Sequence, residues 1–195
     1  MQEPREDHMD AARRIVRYLK GSAGQGILLP KDNNLQLVGY CDSDWGTCPI
    51  TRRSLTGYFV TLGGAPISWK TKKQATVSRS SAEAEYRSMA FATSELLWVK
   101  GFLASMGIFH IHPISLWCDS QAAIHIANNP VFHERTKHIE LDCHFVREKL
   151  DGKIIQLCKI NTKQQPADLF TKALGHTQFQ FLKSKLGIVD LHAPT

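Results

Sequence analysis

The chain has 195 residues, of which 43% are hydrophobic and 22% are charged, so it carries enough apolar material for a folded core. Lys and Arg number 24 against 18 Asp and Glu, and the net charge of +6 suits a polyanionic partner, or simply a basic protein without one. The five cysteines form no Cys-x-x-Cys pair, which indicates free thiols in a reducing compartment. No stretch approaches the roughly 18 apolar residues of a membrane span, and the N-terminus lacks the apolar core of a secretory signal. We therefore expect a chain that is neither secreted nor membrane-bound.

Apolar spacing, capping signals and turn clusters predict a series of helices and strands. In chain order these are a helix over 7–20, strands over 35–41, 55–62 and 66–69, a helix over 80–105, a strand over 114–118, helices over 120–127 and 138–150, a strand over 153–160, a helix opening at Pro166, and a short helix around 179–186 before a fraying tail. Ser80 and Glu83 match a capping box at the start of the long helix. A hairpin followed by alternating helices and strands is typical of an α/β layer fold with a mixed sheet.

Two aspartates share the same sequence frame. Asp42 and Asp119 each follow directly after a predicted strand, and each stands in the tripeptide Cys-Asp-Ser. The carboxyl ends of strands are where α/β folds bind ligands, so these positions favour a functional site. The alternative is that each aspartate only caps the turn that follows its strand.

Two further acids lie on predicted helices. Glu85 shares a helical stripe with Met89 and Leu96 that should face the core, where an unpaired carboxylate is costly, unless it escapes to water near the helix end. Glu83 has a simpler explanation, an exposed pair with Arg87 four residues later. Asp168 lies in the first turn of the helix opened by Pro166, where compensating the helix dipole would suffice to explain it.

If the fold brings Asp42, Glu85, Asp119 and Asp168 together, their charges repel strongly without cations. We call these four residues the acidic cluster. A hard divalent ion such as Mg²⁺ prefers oxygen ligands, and two such ions could activate water and stabilise the leaving oxygen of a phosphodiester.

Seven segments then reveal a resemblance to a known family. In order they are YCDSDW (40–45), TRRS (51–54), ISWK (67–70), SRSSAEAEY (78–86), WCDSQ (117–121), RTKHI (135–139) and ADLFTK (167–172). Together they resemble the ribonuclease H domain of Ty1/copia-type LTR retrotransposon Pol polyproteins, most closely those of plants. Residues 1–30 resemble the end of the preceding reverse transcriptase, 31–175 the ribonuclease H domain itself, and 176–195 the C-terminal helix and tail of the polyprotein.

The resemblance implies the ribonuclease H-like α/β fold, a five-stranded mixed sheet flanked by helices. It assigns the acidic cluster as the catalytic and metal-binding site, with Asp42 bridging two Mg²⁺ ions, Glu85 and Asp119 on one ion and Asp168 on the other; Mn²⁺ is an alternative ion. The implied activity is cleavage of the RNA strand of RNA/DNA hybrids during reverse transcription. The implied partners are the hybrid and the reverse transcriptase of the same polyprotein, in cytoplasmic virus-like particles or in the nucleus. The apolar stripe of the N-terminal helix would pack on that polymerase or drive self-association.

Contacts to the hybrid are expected from basic and polar residues around the acidic cluster. These are Lys70, Lys72, Lys73, Arg79, Arg52 and Arg53 for the backbone, and Ser80, Ser81 and Gln121 for the ribose or base edge. Cellular members of the family carry a His in the loop before the last acid, whereas residues 159–165 here contain none. His138 and His144 are candidates for proton transfer by composition only.

Three other interpretations stay open. Some retroelement domains of this kind are catalytically silent and act as nucleic-acid-binding tethers, although the acidic cluster here is complete. A junction resolvase could share the fold, but the segments outside the acids argue against it. A zinc site could be built from His138, Cys143 and His144, but no second Cys/His pair lies at zinc-finger spacing.

Overall fold

A computed structural model describes residues 3–129 and 139–191. Its helices are α1 (Glu6–Lys20), α2 (Ser81–Ser105), α3 (Gln121–Asn128), α4 (Glu140–Asp151) and α5 (His176–Lys185). Its strands are β1 (Gln25–Ile27), β2 (Leu37–Asp44), β3 (Leu55–Leu62), β4 (Ala65–Lys73), β5 (Ile114–Cys118), β6 (Ile155–Lys159) and β7 (Ile188–Asp190). Two short 3-10 helices, Thr162–Gln164 and Pro166–Phe170, lie between β6 and α5.

Five of the strands form one mixed sheet in the order β4-β3-β2-β5-β6. β2, β3 and β4 pair antiparallel as a meander, whereas β5 runs parallel to β2, and β6 runs parallel to β5. The β3–β4 hairpin turns at Gly63 and Gly64, whose φ angles of 58° and 84° suit the left-handed positions of a tight turn. The expected α/β fold with a five-stranded mixed sheet flanked by helices is therefore confirmed.

The long helix α2 begins where its capping signal predicts. The Ser80 hydroxyl accepts a hydrogen bond from the backbone N–H of Glu83 at 3.2 Å, and the Glu83 carboxylate accepts one from the N–H of Arg79 at 2.9 Å. The expectation of an exposed Glu83–Arg87 pair is wrong, because Glu83 is buried by this capping role. Arg87 instead approaches Asp142 of α4 at 3.9 Å.

The core lies between α2 and the sheet. Met89, Leu96 and Tyr86 on α2 are fully buried and pack with strand residues such as Val60 and Leu116. The stripe predicted to face inward does so, and α3 and α4 extend the same layer. Burial of these apolar side chains fixes the position of the first turns of α2 above the strand ends.

Some elements around the strand ends differ from the sequence-based expectation. β2 does not end before Asp42 but continues to Asp44, because its pairing with β3 extends to the Asp44–Leu55 pair. β4 likewise runs to Lys73 through pairing with Leu55 rather than ending at 69. The helix opening at Pro166 is only a five-residue 3-10 helix.

A second, two-stranded sheet joins the segment after α1 to the segment after α5. β1 pairs antiparallel with β7 in the register Gly26–Val189, and the backbone N–H of Leu191 donates to Gly24 at 2.7 Å. The expectation of a fraying tail after α5 is therefore wrong for residues 188–191, because this pairing satisfies their backbone groups. The segments assigned to 1–30 and 176–195 thus share secondary structure, a long-range pairing that local sequence signals do not reveal.

Helix α1 stands apart from the core, since none of its residues is buried against the described part of the chain. Its exposed apolar side chains are Met9, Ile15, Val16, Tyr18 and Leu19. Within residues 3–129 and 139–191, no helix combines the length and apolar character needed to cross a bilayer.

Candidate metal and nucleic-acid site

The acidic cluster is assembled from four separate elements. Asp42 lies in β2, Glu85 near the start of α2, Asp119 directly after β5, and Asp168 in the second 3-10 helix. The parallel register of β2 and β5 pairs Cys41 with Cys118, so the aspartates that follow them emerge side by side. The repeated Cys-Asp-Ser frame thus reflects two neighbouring parallel strands that deliver carboxylates to the same edge of the sheet.

The carboxylates are close enough to share cations. Oxygens of Asp42, Asp119 and Asp168 lie within 4.8 Å of one another, and oxygens of Glu85 and Asp119 lie within the same distance of the Cys118 sulfur. Asp119 is therefore common to both groups, a position that the resemblance gave to Asp42. Because the donors are almost all carboxylate oxygens, the site suits a hard divalent ion, for which a thiol is a poor ligand.

Burial makes ionisation of the carboxyl groups in this cluster costly. Asp42 is fully buried, Asp168 is 4% exposed and Glu85 is 8% exposed. Burial raises the pKa of Asp42 to about 7 and that of Glu85 to about 10, the latter further raised by the neighbouring Asp42 carboxylate. The Oε2 atom of Glu85 has no hydrogen-bond partner among the described residues, which is costly for a buried carboxyl group unless a ligand satisfies it.

Lys172 and Thr171 contact the acids directly. The Lys172 ammonium donates to Asp42 Oδ1 at 3.0 Å and to Asp168 Oδ1 at 2.8 Å, while the Thr171 hydroxyl donates to Asp42 Oδ2. Partial burial acts to lower the pKa of Lys172, but the two carboxylates outweigh it and raise that pKa above its ordinary value. This lysine thus supplies a positive charge within the cluster.

Gln165 anchors the segment that carries Asp168. Its side chain is fully buried, and its Nε2 donates to the carbonyl oxygen of Cys41 at 3.0 Å and to that of Trp117 at 3.5 Å. Its Oε1 accepts from the N–H of Ala167 at 3.3 Å. One amide side chain therefore links the last acidic segment to the ends of both β2 and β5.

The same segment packs unusually closely on β3. A Cβ atom added to Gly57 would lie 2.7 Å from Thr171 Cγ2, 3.0 Å from Phe170 Cβ and 3.1 Å from the Ala167 carbonyl oxygen. Only glycine permits this approach of the 3-10 helix to the sheet.

Three of the lysines expected to contact the hybrid lie on the same strand. Lys70, Lys72 and Lys73 are all exposed on β4 rather than in a connection before α2. The Lys72 ammonium lies 4.9 Å from the centre of the Phe91 ring of α2, and the Lys73 ammonium lies 3.2 Å from the Cys48 sulfur. Lys72 and Lys73 also border a cavity of about 470 Å³, whose other lining residues include Arg87 and Phe91.

The remaining nucleic-acid candidates lie in loops and at helix starts. Arg52 and Arg53 are exposed in the connection between β2 and β3, and the Arg52 guanidinium approaches Gly46. Arg79 and Ser81 are exposed around the start of α2, whereas Ser80 uses its hydroxyl as the helix cap. Gln121 is exposed as the first residue of α3 and lies two positions after Asp119.

Of the residues considered for proton transfer and for a zinc site, the structure describes His144 and Cys143 but not His138. His144 is exposed on α4, and neither it nor the buried Cys143 belongs to a metal-compatible group within residues 3–129 and 139–191. His138 lies outside the described residues, so its candidacy for proton transfer stays a prediction.

Sequence reasoning missed Lys172 and Gln165 as parts of the site. Lys172 stands four residues after Asp168, and this acid–base spacing is a signal that could have identified it. Gln165 carries no such signal, because its partners are backbone carbonyls 124 and 48 residues away.

Comparisons with known proteins identify several relatives of the same kind. The chain is 43% identical over 98% of its length to the retrovirus-related Pol polyprotein from transposon RE2 of Arabidopsis thaliana, and 44% identical over 96% to that from transposon RE1. It is 36% identical over 96% of its length to the corresponding polyprotein from transposon TNT 1-94 of Nicotiana tabacum. No family model matches the chain.

Among solved structures, LC11-RNase H1 isolated from compost matches 70% of this chain and 93% of its own at 15% identity, with a TM-score of 0.49. The assignment depends on the sequence relatives. The chain spans only 13% to 14% of the length of those polyproteins. Over nearly its whole length, the chain is homologous to one segment of the retrovirus-related Pol polyproteins of copia-type transposons.

Proposed function

We propose that this chain is a metal-dependent endoribonuclease that cleaves the RNA strand of RNA/DNA hybrids. The observation that carries the proposal is that the four acids come together: the ligand atoms of Asp42, Asp119 and Asp168 lie within 4.8 Å of one another, and so do those of Glu85, Cys118 and Asp119. In addition, the buried Oε2 atom of Glu85 has no hydrogen-bond partner among the described residues. The similarity to retrovirus-related Pol polyproteins supports a role in retrotransposon reverse transcription.

The residues fit divalent ions by their chemistry. Asp42, Asp119 and Asp168 would hold one ion, and Glu85 with Asp119 would hold a second. Bound Mg²⁺, or Mn²⁺ in its place, would supply activation of water and stabilisation of charge on the scissile phosphate. Cleavage in this way leaves 3′-hydroxyl and 5′-phosphate ends.

Several side chains of the protein hold Asp42 and Asp168 in position. Gln165 and the close packing at Gly57 fix the Asp168 segment against the strands. Thr171 holds one oxygen of Asp42, which orients the other oxygen toward Asp168 and Lys172. Such preorganised acids need no rearrangement when ions and substrate bind, which is how an active site lowers the cost of reaching the transition state.

We propose that the hybrid lies along the exposed basic residues of β4 and the β2–β3 connection. Lys70, Lys72, Arg52 and Arg53 would contact phosphates, since each presents a positive charge to solvent. Gln121 is placed beside Asp119 and would contact the sugar or base edge near the scissile bond. Replacing Lys70 and Lys72 by Gln should reduce the salt dependence of hybrid binding, whereas an unchanged slope would remove these residues from the interface.

We also propose that the apolar face of α1 packs on the preceding, reverse transcriptase part of the polyprotein. The face is exposed here, and the family members extend far beyond the length of this chain. Hydrogen exchange on a longer chain that includes the preceding segment should show protection of α1. Protection that instead depends on the concentration of the present chain alone would indicate self-association.

The function is tested by incubating the chain with Mg²⁺ and a labelled RNA/DNA hybrid, beside single-stranded RNA and double-stranded DNA. We expect cleavage of the RNA strand of the hybrid alone, and loss of cleavage with EDTA. Tight binding of the hybrid without cleavage would point to a silent tether, and cleavage of the DNA duplex to a different nuclease.

A further inference from the structure

Among the residues that the structure describes, Lys172 is the one whose positive charge lies within hydrogen-bonding distance of carboxylate oxygens of the acidic cluster. The Lys159 ammonium also approaches the cluster, but it donates to the backbone carbonyl of Asp119 and not to a carboxylate. The Lys172 ammonium lies 3.0 Å from Asp42 Oδ1 and 2.8 Å from Asp168 Oδ1. These aspartates are fully buried and 4% exposed, respectively, so each needs a counter-charge in order to stay ionised. The ammonium therefore does in this structure what a bound cation would do.

The Lys172 ammonium contacts two carboxylate oxygens that could also be ligands of a metal ion. The two oxygens that Lys172 contacts belong to the Asp42, Asp119 and Asp168 group, whose ligand atoms lie within 4.8 Å of one another. A divalent ion that takes both oxygens as ligands would have to lie close to the space that the ammonium now fills. The ion and the ammonium therefore compete for the same carboxylates.

The Lys172 ammonium is able to move away from Asp42 and Asp168. Its side chain is 31% exposed, in contrast to the buried aspartates, and lies beyond the end of the Pro166–Phe170 helix. Four flexible methylenes allow its charged end to turn toward water without moving the backbone. The aspartates, held by Thr171 and by the Gln165 anchor, stay in place when it does so.

We propose that Lys172 is a built-in counter-ion, which keeps Asp42 and Asp168 together before metal arrives and gives up these carboxylates when a divalent ion binds. The inference rests on the metal site of the proposed function. Its consequence is that Lys172 stabilises the metal-free protein and, by the same interaction, weakens the binding of the ion. A lysine that acted only as structural support would instead stabilise the metal-free and metal-bound forms alike.

The test measures Mn²⁺ binding to the whole chain by electron paramagnetic resonance, together with the melting temperature with and without the ion. We expect Lys172→Gln to melt at a lower temperature without metal and to bind Mn²⁺ about five- to tenfold more tightly, as expected if the metal-free state loses one or two charge-assisted hydrogen bonds. Lys172→Arg, which keeps the charge, should resemble the wild type. Lys163→Gln, an exposed lysine on the preceding 3-10 helix, controls for the loss of one positive charge.

Equal Mn²⁺ affinity of Lys172→Gln and the wild type would overturn the inference while leaving the metal site in place. Failure of the wild-type chain to bind Mn²⁺ would overturn both. The wild type also offers a test without substitution, since the NMR signal of the Lys172 ammonium, assigned by its loss in Lys172→Arg, should shift when Mg²⁺ saturates the protein. A signal unchanged by Mg²⁺ would contradict displacement even if Lys172→Gln failed to fold.

Discussion

The side-chain amide of Gln165 donates a hydrogen bond of 3.0 Å to the backbone carbonyl of Cys41, the residue immediately before Asp42. This contact joins the segment that carries Asp168 to strand β2, which carries Asp42, across 124 positions of sequence. Because Gln165 is fully buried, water cannot replace the bond if the amide is removed. The relative placement of Asp42 and Asp168 therefore depends on a residue that is not itself acidic.

Replacing Gln165 by Leu should destabilise the protein by about 1–3 kcal/mol, because the Cys41 carbonyl would be left buried and unsatisfied. Urea unfolding of the metal-free chain measures this loss. Gln156→Leu is a suitable control, since Gln156 makes an exposed bond to Ser115 and should change stability by no more than about 0.5 kcal/mol. A Gln165→Leu protein as stable as this control would contradict the anchoring role.

Gly57→Ala should be destabilising because the new methyl group would meet Thr171 and Phe170 at 2.7 and 3.0 Å. We expect a loss of about 1–3 kcal/mol, the usual cost of overpacking, together with weaker Mn²⁺ binding as the Asp168 segment is displaced. Gly101→Ala on α2 is the control, because a Cβ atom added there meets nothing within 4 Å. That variant should gain up to about 1 kcal/mol from helix propensity. Equal effects of the two variants on thermal stability would contradict the close packing at Gly57.

The stability of the metal-free protein should fall as the pH rises. Burial raises the pKa of Glu85 from 4.5 to about 10, so between these values the folded chain holds a proton that the unfolded chain has lost. The contribution is complete below pH 4.5 and decreases as the pH rises toward 10, with a slope of at most about 1.4 kcal/mol per pH unit for one group. Denaturant unfolding at pH 5, 6.5 and 8 measures it.

Glu85→Gln should flatten this pH dependence, since the amide cannot ionise, whereas the exposed Glu140→Gln should leave it unchanged. Saturating Mg²⁺ should stabilise the wild type more at pH 8 than at pH 5, because the ion binds the deprotonated carboxylates. A Glu85→Gln slope identical to that of the wild type would show that Glu85 ionises freely in the folded chain.

Local sequence signals were sufficient for much of the fold. The capping pair Ser80 and Glu83 located the start of α2, and the apolar stripe through Met89 correctly placed Glu85 on the buried side. The same stripe argument could not foresee that Glu83 would be buried as well, since its hydrogen bond to Arg79 depends on the geometry of the preceding loop.

Most of the features that local sequence signals missed depend on partners distant in sequence. The pairing of β1 with β7 joins residues more than 160 positions apart, such as Gly26 and Val189, and no local pattern specifies it. Strand β2 extends past Asp42 because β3 offers hydrogen-bond partners there, not because residues 42–44 favour strands. Lys172 is the exception, because its spacing from Asp168 was visible in the sequence.

We propose above that the acidic cluster binds divalent ions for hydrolysis of the RNA strand of a hybrid. The most direct test of this claim compares cleavage of a labelled RNA/DNA hybrid in Mg²⁺ by the wild type, by Asp42→Asn and by Asp151→Asn, which removes an exposed charge at the end of α4. We expect the wild type and Asp151→Asn to cleave alike, and Asp42→Asn to remain folded but lose at least about a hundredfold in rate. Full cleavage by Asp42→Asn, or none by the wild type with Mg²⁺ or Mn²⁺, would contradict the claim.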